Sequence, residues 1–456
     1  MSATDATLRP GVAGLRRLIG RFMPDRDLGA VFKGATQVFA IRLAGAALAY
    51  VSMIFLARWL GAFQFGIYAY VWVGIVILGP PLSLGYASSA LRFLPDYLAR
   101  GKWRRLYGYL RESFVVVAVT STAGALLGAL LVWTFHDLAG PYYVPFLIGL
   151  LCLPLATVLN QCEATARAFG WVHLAYIPGY IARPIFSIAV VGALVWRGTM
   201  PNAADALWAI VGACIVAGIV QAAAVISGIR ARVPATRPAY HTRHWAAISV
   251  SFVMIDGFRM LLENADILMI GRLLEPHSVA IYFAAARTAG LIAFIYFAVV
   301  ALAVPKFSKI HITGTRAEMQ KFVSGVIQLM FWPSLATAIV LAGLGPFALS
   351  LFGADFTSGY PTLLVVLAGL VVRASMGPVE YLLNMTGHHR DTMRVYGVAA
   401  VANIGLNLLL IPWAGIAGAA ISTYIAIAGG NLWLYVLVRR RLGVSAFVFP
   451  IANARI

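Results

Sequence analysis

Apolar residues run along this chain in long blocks, and polar residues gather between them. Twelve blocks are distinguishable, at about 35–60, 63–87, 113–135, 142–165, 172–196, 204–229, 245–271, 277–303, 322–344, 359–383, 394–412 and 414–438. A helix that crosses the hydrocarbon core of a bilayer needs about 20 apolar residues, and these blocks are of that size. Several contain proline, such as Pro80, Pro81, Pro154, Pro178, Pro184 and Pro333. Membrane helices tolerate such breaks because neighbouring helices re-satisfy the freed backbone groups. The pattern predicts an all-α polytopic membrane protein of twelve transmembrane helices, several of them bent.

Composition agrees. Of 456 residues, 61% are hydrophobic and 11% charged, with mean hydropathy +0.86. Soluble domains carry about 25% charged residues. A soluble enzyme, a nucleic-acid-binding domain and a disordered chain are therefore excluded. The net charge of +19 would suggest nucleic acid in a soluble protein. In a membrane protein basic residues collect in cytoplasmic loops.

Their positions bear this out. One side takes the N-terminal segment (Arg9, Arg16, Arg17, Arg21, Arg26, Lys33) and the loop with Arg92, Arg100, Lys102, Arg104, Arg105 and Arg111. It also takes Arg167, Arg230, Arg232, Arg237, Arg243, Lys306, Lys309, Arg316, Lys321, Arg390 and Arg394, and a tail with Arg439, Arg440, Arg441 and Arg455. The other side has Arg197 and Arg272, with Arg58 at its border. This asymmetry predicts both termini on the cytoplasmic side of a multi-pass protein. The connections 89–112 and 304–321 mix apolar and basic residues and read as amphipathic helices on the inner surface. No cleavable signal peptide is expected, because about thirty basic-rich residues precede the first apolar block. Cys152, Cys162 and Cys214 lie in apolar blocks, and no disulfide is expected.

The chain repeats itself. Leu56-Ala-Arg-Trp-Leu60 with Gly66-Ile-Tyr68 returns as Ile270-Gly-Arg-Leu-Leu274 with Ala280-Ile-Tyr282, at an offset of 214 residues. Glu163 followed by Gly170 returns as Glu380 followed by Gly387, at an offset of 217. Two anchors at nearly one offset predict two six-helix lobes of the same orientation, related by an axis along the membrane normal. The expected division is a basic cytoplasmic segment 1–33, an N-lobe 34–230, a linker 231–244, a C-lobe 245–438 and a basic tail 439–456.

At these residues the chain resembles the polysaccharide flippases of the multidrug/oligosaccharidyl-lipid/polysaccharide exporter superfamily, which move O-antigen and exopolysaccharide repeat units. Phe55-Leu-Ala-Arg-Trp-Leu-Gly-Ala-Phe-Gln-Phe-Gly-Ile-Tyr68 is similar to that family's first hairpin. Asp266-Ile-Leu-Met-Ile-Gly-Arg-Leu-Leu274 with Ile281-Tyr282 is similar to its seventh-span signature. Asn407-Leu-Leu-Leu-Ile-Pro-Trp-Ala-Gly-Ile-Ala-Gly-Ala-Ala420 is similar to its eleventh-to-twelfth connection. The resemblance covers about 35–440. It implies a central cavity between two lobes in the bacterial inner membrane, and transfer of an undecaprenyl-diphosphate-linked oligosaccharide from the inner to the outer leaflet. A polysaccharide polymerase and chain-length machinery are the partners it implies, with membrane lipid around the chain.

Charge inside the spans narrows the chemistry. An ionisable side chain at a helix centre costs about 2.5–3.5 kcal/mol on insertion scales, so it faces a cavity or a partner. Arg42, Arg183, Arg259, Arg287 and Arg373 are the candidate cationic zone for a diphosphate, which suits a guanidinium fork. Asp256, Glu263 and Asp266 are candidates for ion coupling or for ion pairs. With Arg259 they fall at about 0°, 340°, 280° and 300° on the seventh span, at about 100° per residue, which makes one narrow face. The bland reading is that Arg259 pairs with Asp256 or Glu263 and the charges cancel. The repeat also places Arg42 opposite Asp256, so a lobe-to-lobe pair is a further expectation. Arg58 and Arg272 read as interfacial residues that cap their hairpins, and Glu163 and Glu380 as holders of helix ends. No catalytic set, metal site, cofactor motif or nucleotide-binding loop is present. The readings that compete with a repeat-unit flippase are a drug/cation antiporter, a peptidoglycan-precursor (lipid II) flippase and a non-transporting scaffold.

Overall fold

The structure is a computed structural model and describes residues 28–449. Most of the basic segment expected over 1–33, and Arg455 of the tail, lie outside the described residues. Every regular element among those described is helical. The first half of the chain comprises α1 (Leu28–Leu82), α2 (Tyr86–Ala99), α3 (Trp103–Thr134), α4 (Tyr143–Ala168), α5 (Val172–Ile177), α6 (Arg183–Trp196) and α7 (Ala203–Arg232). The second half comprises α8 (Thr242–Leu273), α9 (Pro276–Ala289), α10 (Ala293–Thr313), α11 (Arg316–Ser350), α12 (Tyr360–Ser375), α13 (Val379–Met385) and α14 (His389–Leu442).

Ten helical stretches among the described residues are long and apolar enough to cross a membrane. Twelve blocks were expected, and the difference lies in α1 and α14. They hold 55 and 54 residues, about 80 Å of helix at 1.5 Å per residue. The hydrocarbon core is about 30 Å thick. Each is broken once, at Gly61 (φ 74°, ψ 164°) and at Gly415 (φ 58°, ψ −138°). Only glycine takes such angles without strain. Nothing lies within 4 Å of a Cβ added at Gly61, so its role is conformational. Gly61→Ala should therefore destabilise the protein by about 1–3 kcal/mol, read as a lower melting temperature in detergent.

The apolar core explains how the halves meet. One cluster runs through both, from Leu56 and Phe65 to Phe283, Phe352 and Ala420. It sits beside the loops with few basic residues. Toward the basic loops the core divides. One cluster holds Tyr86, Phe93, Tyr109 and Trp245, and the other holds Phe307, Ile327, Tyr396 and Leu434. The halves thus share one core at the basic-poor end; at the other end there are two clusters, and the first of them takes in Trp245 of α8, whose Nε1 donates to the Tyr97 hydroxyl at 2.7 Å.

Repeat-related segments make the joint. A Cβ at Gly66 would stand 1.8 Å from the Pro276 carbonyl oxygen, so two backbones touch there. The Phe65 and Phe283 rings lie 6.0 Å apart, and the Tyr50 and Thr288 hydroxyls 2.9 Å apart. Arg58 Nε donates to the Leu351 carbonyl at 2.6 Å. Arg58 thus caps a helix end, but that of α11 in the opposite half.

Two connections differ from expectation. The segment 86–99 is amphipathic, yet its apolar face (Tyr86, Ala90, Phe93, Leu94) packs inside the protein, not on a membrane surface. Glu112 anchors it: Tyr86 donates to Oε1 at 2.8 Å and Thr242 to Oε2 at 2.7 Å. The segment 304–321 is no separate helix. It continues α10 to Thr313, and α11 starts at Arg316 behind the Thr315–Glu318 capping box. The tail is also more than a basic run. After Gly443 (φ 64°) the chain folds back, burying Val444, Ala446 and Val448. Ser445 N donates to Gln320 Oε1 at 2.6 Å, and Gln320 Nε2 returns a bond to Ser445 O at 2.9 Å. Val448 N donates to Ser375 O at 2.9 Å.

Candidate functional site: a charged zone between the halves

The seventh apolar block carries its charges at mid-length of α8, where the shared core ends. Asp256, Arg259 and Glu263 do share a face, as their spacing predicts. Arg259 Nη2 lies 3.7 Å from Asp256 Oδ1, and Nη1 lies 3.7 Å from Glu263 Oε2. Glu263 Oε1 then reaches Arg373 Nη1 of α12 at 3.9 Å. Acid and base alternate, so the charges cancel along the chain. Side-chain exposures run from 22% at Arg373 to 34% at Arg259. Charges half-way along membrane helices keep that exposure only in a polar cleft. The first half contributes to its wall: Ser88 Oγ donates to Asp256 Oδ2 at 2.7 Å. Arg42 lies 5.6 Å and 5.7 Å from the Tyr176 and Tyr180 ring centres and 5.8 Å from that of Phe297 in α10.

The ion pair expected between Arg42 and Asp256 is not formed in this structure. Asp256 is taken by Arg259 and Ser88, and Arg42 stands among aromatic rings and donates to the Tyr180 hydroxyl at 3.4 Å. The five arginines therefore split. Arg259 and Arg373 are paired with acids. Arg42, Arg183 and Arg287 make no salt bridge among the described residues. Arg183 lies 5.0 Å from the Trp72 ring, and Arg287 4.7 Å from the Phe283 ring. Arg287 Nε is buried with no hydrogen-bond partner.

Glu263 is the acid that joins Arg259 to Arg373. Pairs this exposed contribute about 0–1 kcal/mol. Glu263→Gln should leave the melting temperature within a few degrees of wild type while lowering transport several-fold. Exchanging the charges, with Glu263→Arg and Arg373→Glu together, should recover part of it in a complementation assay.

Asp266 lies on the same stripe but is enclosed, outside the cleft. It is 3% exposed, because α9 and α14 close over α8 at this level. Its carboxylate accepts the Tyr282 hydroxyl, the Thr423 hydroxyl at 3.2 Å and the Ile267 N–H at 2.8 Å. Thr423 Oγ1 is equally 3.2 Å from Asn403 Oδ1, which accepts Asn407 Nδ2 at 2.7 Å. Asn407 Oδ1 is buried and unpartnered. Tyr282, Asn403, Asn407 and Thr423 were not singled out from the sequence as site residues. The available signal was the pair of asparagines four apart in an apolar block, which puts both amides on one helix face.

Glu163 pairs with Arg167 over one turn at 3.5 Å, as a holder of a helix end would. Glu380 is different. It starts α13 beyond the Gly377–Pro378 break, is 7% exposed, and lies within electrostatic reach of Arg373 and Arg259.

This arrangement can be compared with known proteins. Residues 31–311 match the family described as Polysaccharide biosynthesis protein. The chain belongs to that family. Solved structures of other proteins share its fold over most of its length. An inward-facing MATE family multidrug-resistance transporter of the MOP superfamily superposes with TM-score 0.70 at 14% identity, over 89% of this chain and 98% of that one. The lipid II flippase MurJ, in an inward closed conformation, gives 0.70 at 14% identity, over 89% and 87%. A MOP superfamily transporter from Pyrococcus furiosus, described as having a binding pocket of reverse polarity, gives 0.64 at 14%, over 90% and 96%. No curated protein matches the sequence. The polysaccharide biosynthesis chain thus has a MOP-type transporter fold and is a multi-pass membrane protein.

Proposed function

We propose that this protein is a flippase that carries undecaprenyl-diphosphate-linked oligosaccharide repeat units from the inner to the outer leaflet of the bacterial cytoplasmic membrane. The products would be O-antigen, capsule or exopolysaccharide. The observation that carries the reading is the trio of intramembrane arginines, Arg42, Arg183 and Arg287, that form no salt bridge among the described residues and stand against aromatic rings. A cation–π contact is worth about 0.5–2 kcal/mol. Charge-assisted bonds to phosphate are stronger and pair geometrically with a guanidinium. A diphosphate entering the cleft would therefore take Arg42, Arg183 and Arg287 from their rings. The glycan would occupy the polar cleft and the polyprenyl chain would stay in lipid.

Division of α1 and α14 at their glycines gives twelve crossings, six in each half, which supports the reading of two lobes (34–230 and 245–438). A single core shared by both lobes at the basic-poor end suits one state of an alternating-access cycle. The loop charges support both termini, and the cleft mouth, on the cytoplasmic side. Asp266 is our coupling residue. Its carboxylate, with the oxygens of Thr423, Asn403 and Asn407, makes a buried all-oxygen cluster suited to a proton or a small hard cation. A polymerase and chain-length proteins would act on the delivered units.

The test is deletion of the gene followed by analysis of lipid-linked glycans by leaflet. The expected result is accumulation of diphosphate-linked oligosaccharide on the cytoplasmic face, with loss of one surface polysaccharide. Unchanged lipid-linked pools with altered resistance to cationic drugs would sink the reading in favour of an antiporter. Accumulated peptidoglycan precursor would replace the cargo with lipid II.

A further inference from the structure

A second feature lies on the outside of the first half, away from the cleft. α4 is flanked by α3 and α7, and a groove of about 330 Å³ runs along its outer face. Pro154 and Val158 form the floor, Ala118 and Thr122 one wall, Gly218 and Ala222 the other. All lie near the middle of the spans Trp103–Thr134, Gly140–Ala168 and Ala203–Arg232, so hydrocarbon must fill the groove. Its volume is at the low end for ligand pockets, which suits a single chain and not a glycan.

Its basic end is also marked. Arg111 lies seven residues before Ala118, and Arg230 eleven residues after Ile219, another groove residue. At about 100° per residue each falls within about 20° of its wall's stripe. At 1.5 Å per residue they stand about 10 and 16 Å from it along the helix axes. That is close to half the hydrocarbon thickness of about 30 Å, the separation of a mid-chain methylene from a headgroup. Both arginines are exposed, and neither forms a salt bridge among the described residues.

We propose that this groove is a binding site for an anionic phospholipid of the leaflet next to the basic loops. One acyl chain lies along α4, and the phosphate sits between Arg111 and Arg230. The site does not depend on the cargo: it faces lipid on the side opposite the cleft.

The test uses the full-length protein in nanodiscs of mixed phosphatidylglycerol and phosphatidylethanolamine. A phosphatidylglycerol with a photoreactive group in one acyl chain is cross-linked, and the adducts are mapped by mass spectrometry. Adducts should concentrate at 118–122, 154–162 and 214–222. The double variant Arg111→Gln, Arg230→Gln should lower them about 10- to 30-fold, at about 1 kcal/mol per basic residue near the surface. Gly218→Leu should remove them by filling the groove. A Cβ there meets Leu159 no closer than 3.8 Å. Should that variant misfold, the exposed arginines keep the test intact. Adducts spread evenly over the lipid-facing surface, or equal labelling by a zwitterionic probe, would overturn the proposal. So would displacement of the phospholipid by a polyprenyl phosphate, which would make the groove a cargo site.

Discussion

Asp266→Ala should abolish transport while the protein still reaches the membrane. The side chain is enclosed, and its loss takes the carboxylate acceptor from the buried Tyr282 hydroxyl, while Thr423 keeps Asn403 Oδ1 as its acceptor. Each unsatisfied buried group costs about 1–3 kcal/mol, so a fall in melting temperature should accompany the defect. Asp266→Asn separates the two effects. An amide keeps the shape and one acceptor oxygen but carries no charge. It should restore most of the stability and none of the coupled transport. Surface polysaccharide, measured beside melting in detergent, reads both. The wild-type protein should also show stabilisation by the coupling ion, RT ln(1 + [L]/Kd), or about 2.7 kcal/mol at one hundred times Kd. That increment should be absent from both variants. If Asp266→Asn transports normally, Asp266 is a structural acid and coupling lies elsewhere.

Gly66→Ala should have the second large effect, on the balance of conformations. Its added methyl would lie 1.8 Å from the Pro276 carbonyl oxygen and 3.3 Å from Ala280 N. Both belong to the backbone, which has little room to yield. The clash exists only while the halves are joined at this end. Once they part there, the methyl has no opponent. A perturbation felt by one state alone shifts the population by its full free energy, and overpacking of this severity is worth about 3 kcal/mol or more. The variant should therefore favour the opposite state. A cysteine placed at Thr288, whose hydroxyl meets that of Tyr50 across the joint, should react with a membrane-impermeant maleimide from the basic-poor side. Its rate should exceed that in the Gly66 background by at least 10-fold. Equal rates would mean that the joint stays closed throughout the cycle.

Membrane class was legible because it depends on properties summed over many residues. Twenty apolar side chains specify a span whatever their order. The break at Gly61 falls between blocks already separate in the hydropathy pattern, and that at Gly415 falls at the very start of the twelfth block. The charged zone was half legible. Helical spacing brought Asp256, Arg259 and Glu263 together because it acts within one helix. It could not show that α9 and α14 close over the next residue of the same stripe. Asp266 therefore left the cleft for a set of partners up to 157 residues away in sequence. The Arg42–Asp256 pair failed for a related reason. Equivalent positions in two repeats need not face each other, and both side chains found nearer partners. The 86–99 helix was misplaced because an apolar stripe fits lipid and protein equally well. Glu112, buried beneath it and bonded to Tyr86 and Thr242, belongs to a protein interior.

The folded-back segment after Gly443 bears on how the chain is assembled during synthesis. Val444, Ala446 and Val448 fill a seam among α11, α12 and α14, and they follow α14 in sequence. The seam therefore cannot be completed while the spans are being inserted one after another. Until the segment emerges, Gln320 and the Ser375 carbonyl at the end of α12 have no such partner. Completion of this seam is thus a docking event on the membrane's basic side, after α11, α12 and α14 are already in the bilayer. A chain truncated after Leu442 would insert completely and yet present quality-control proteases with an open seam.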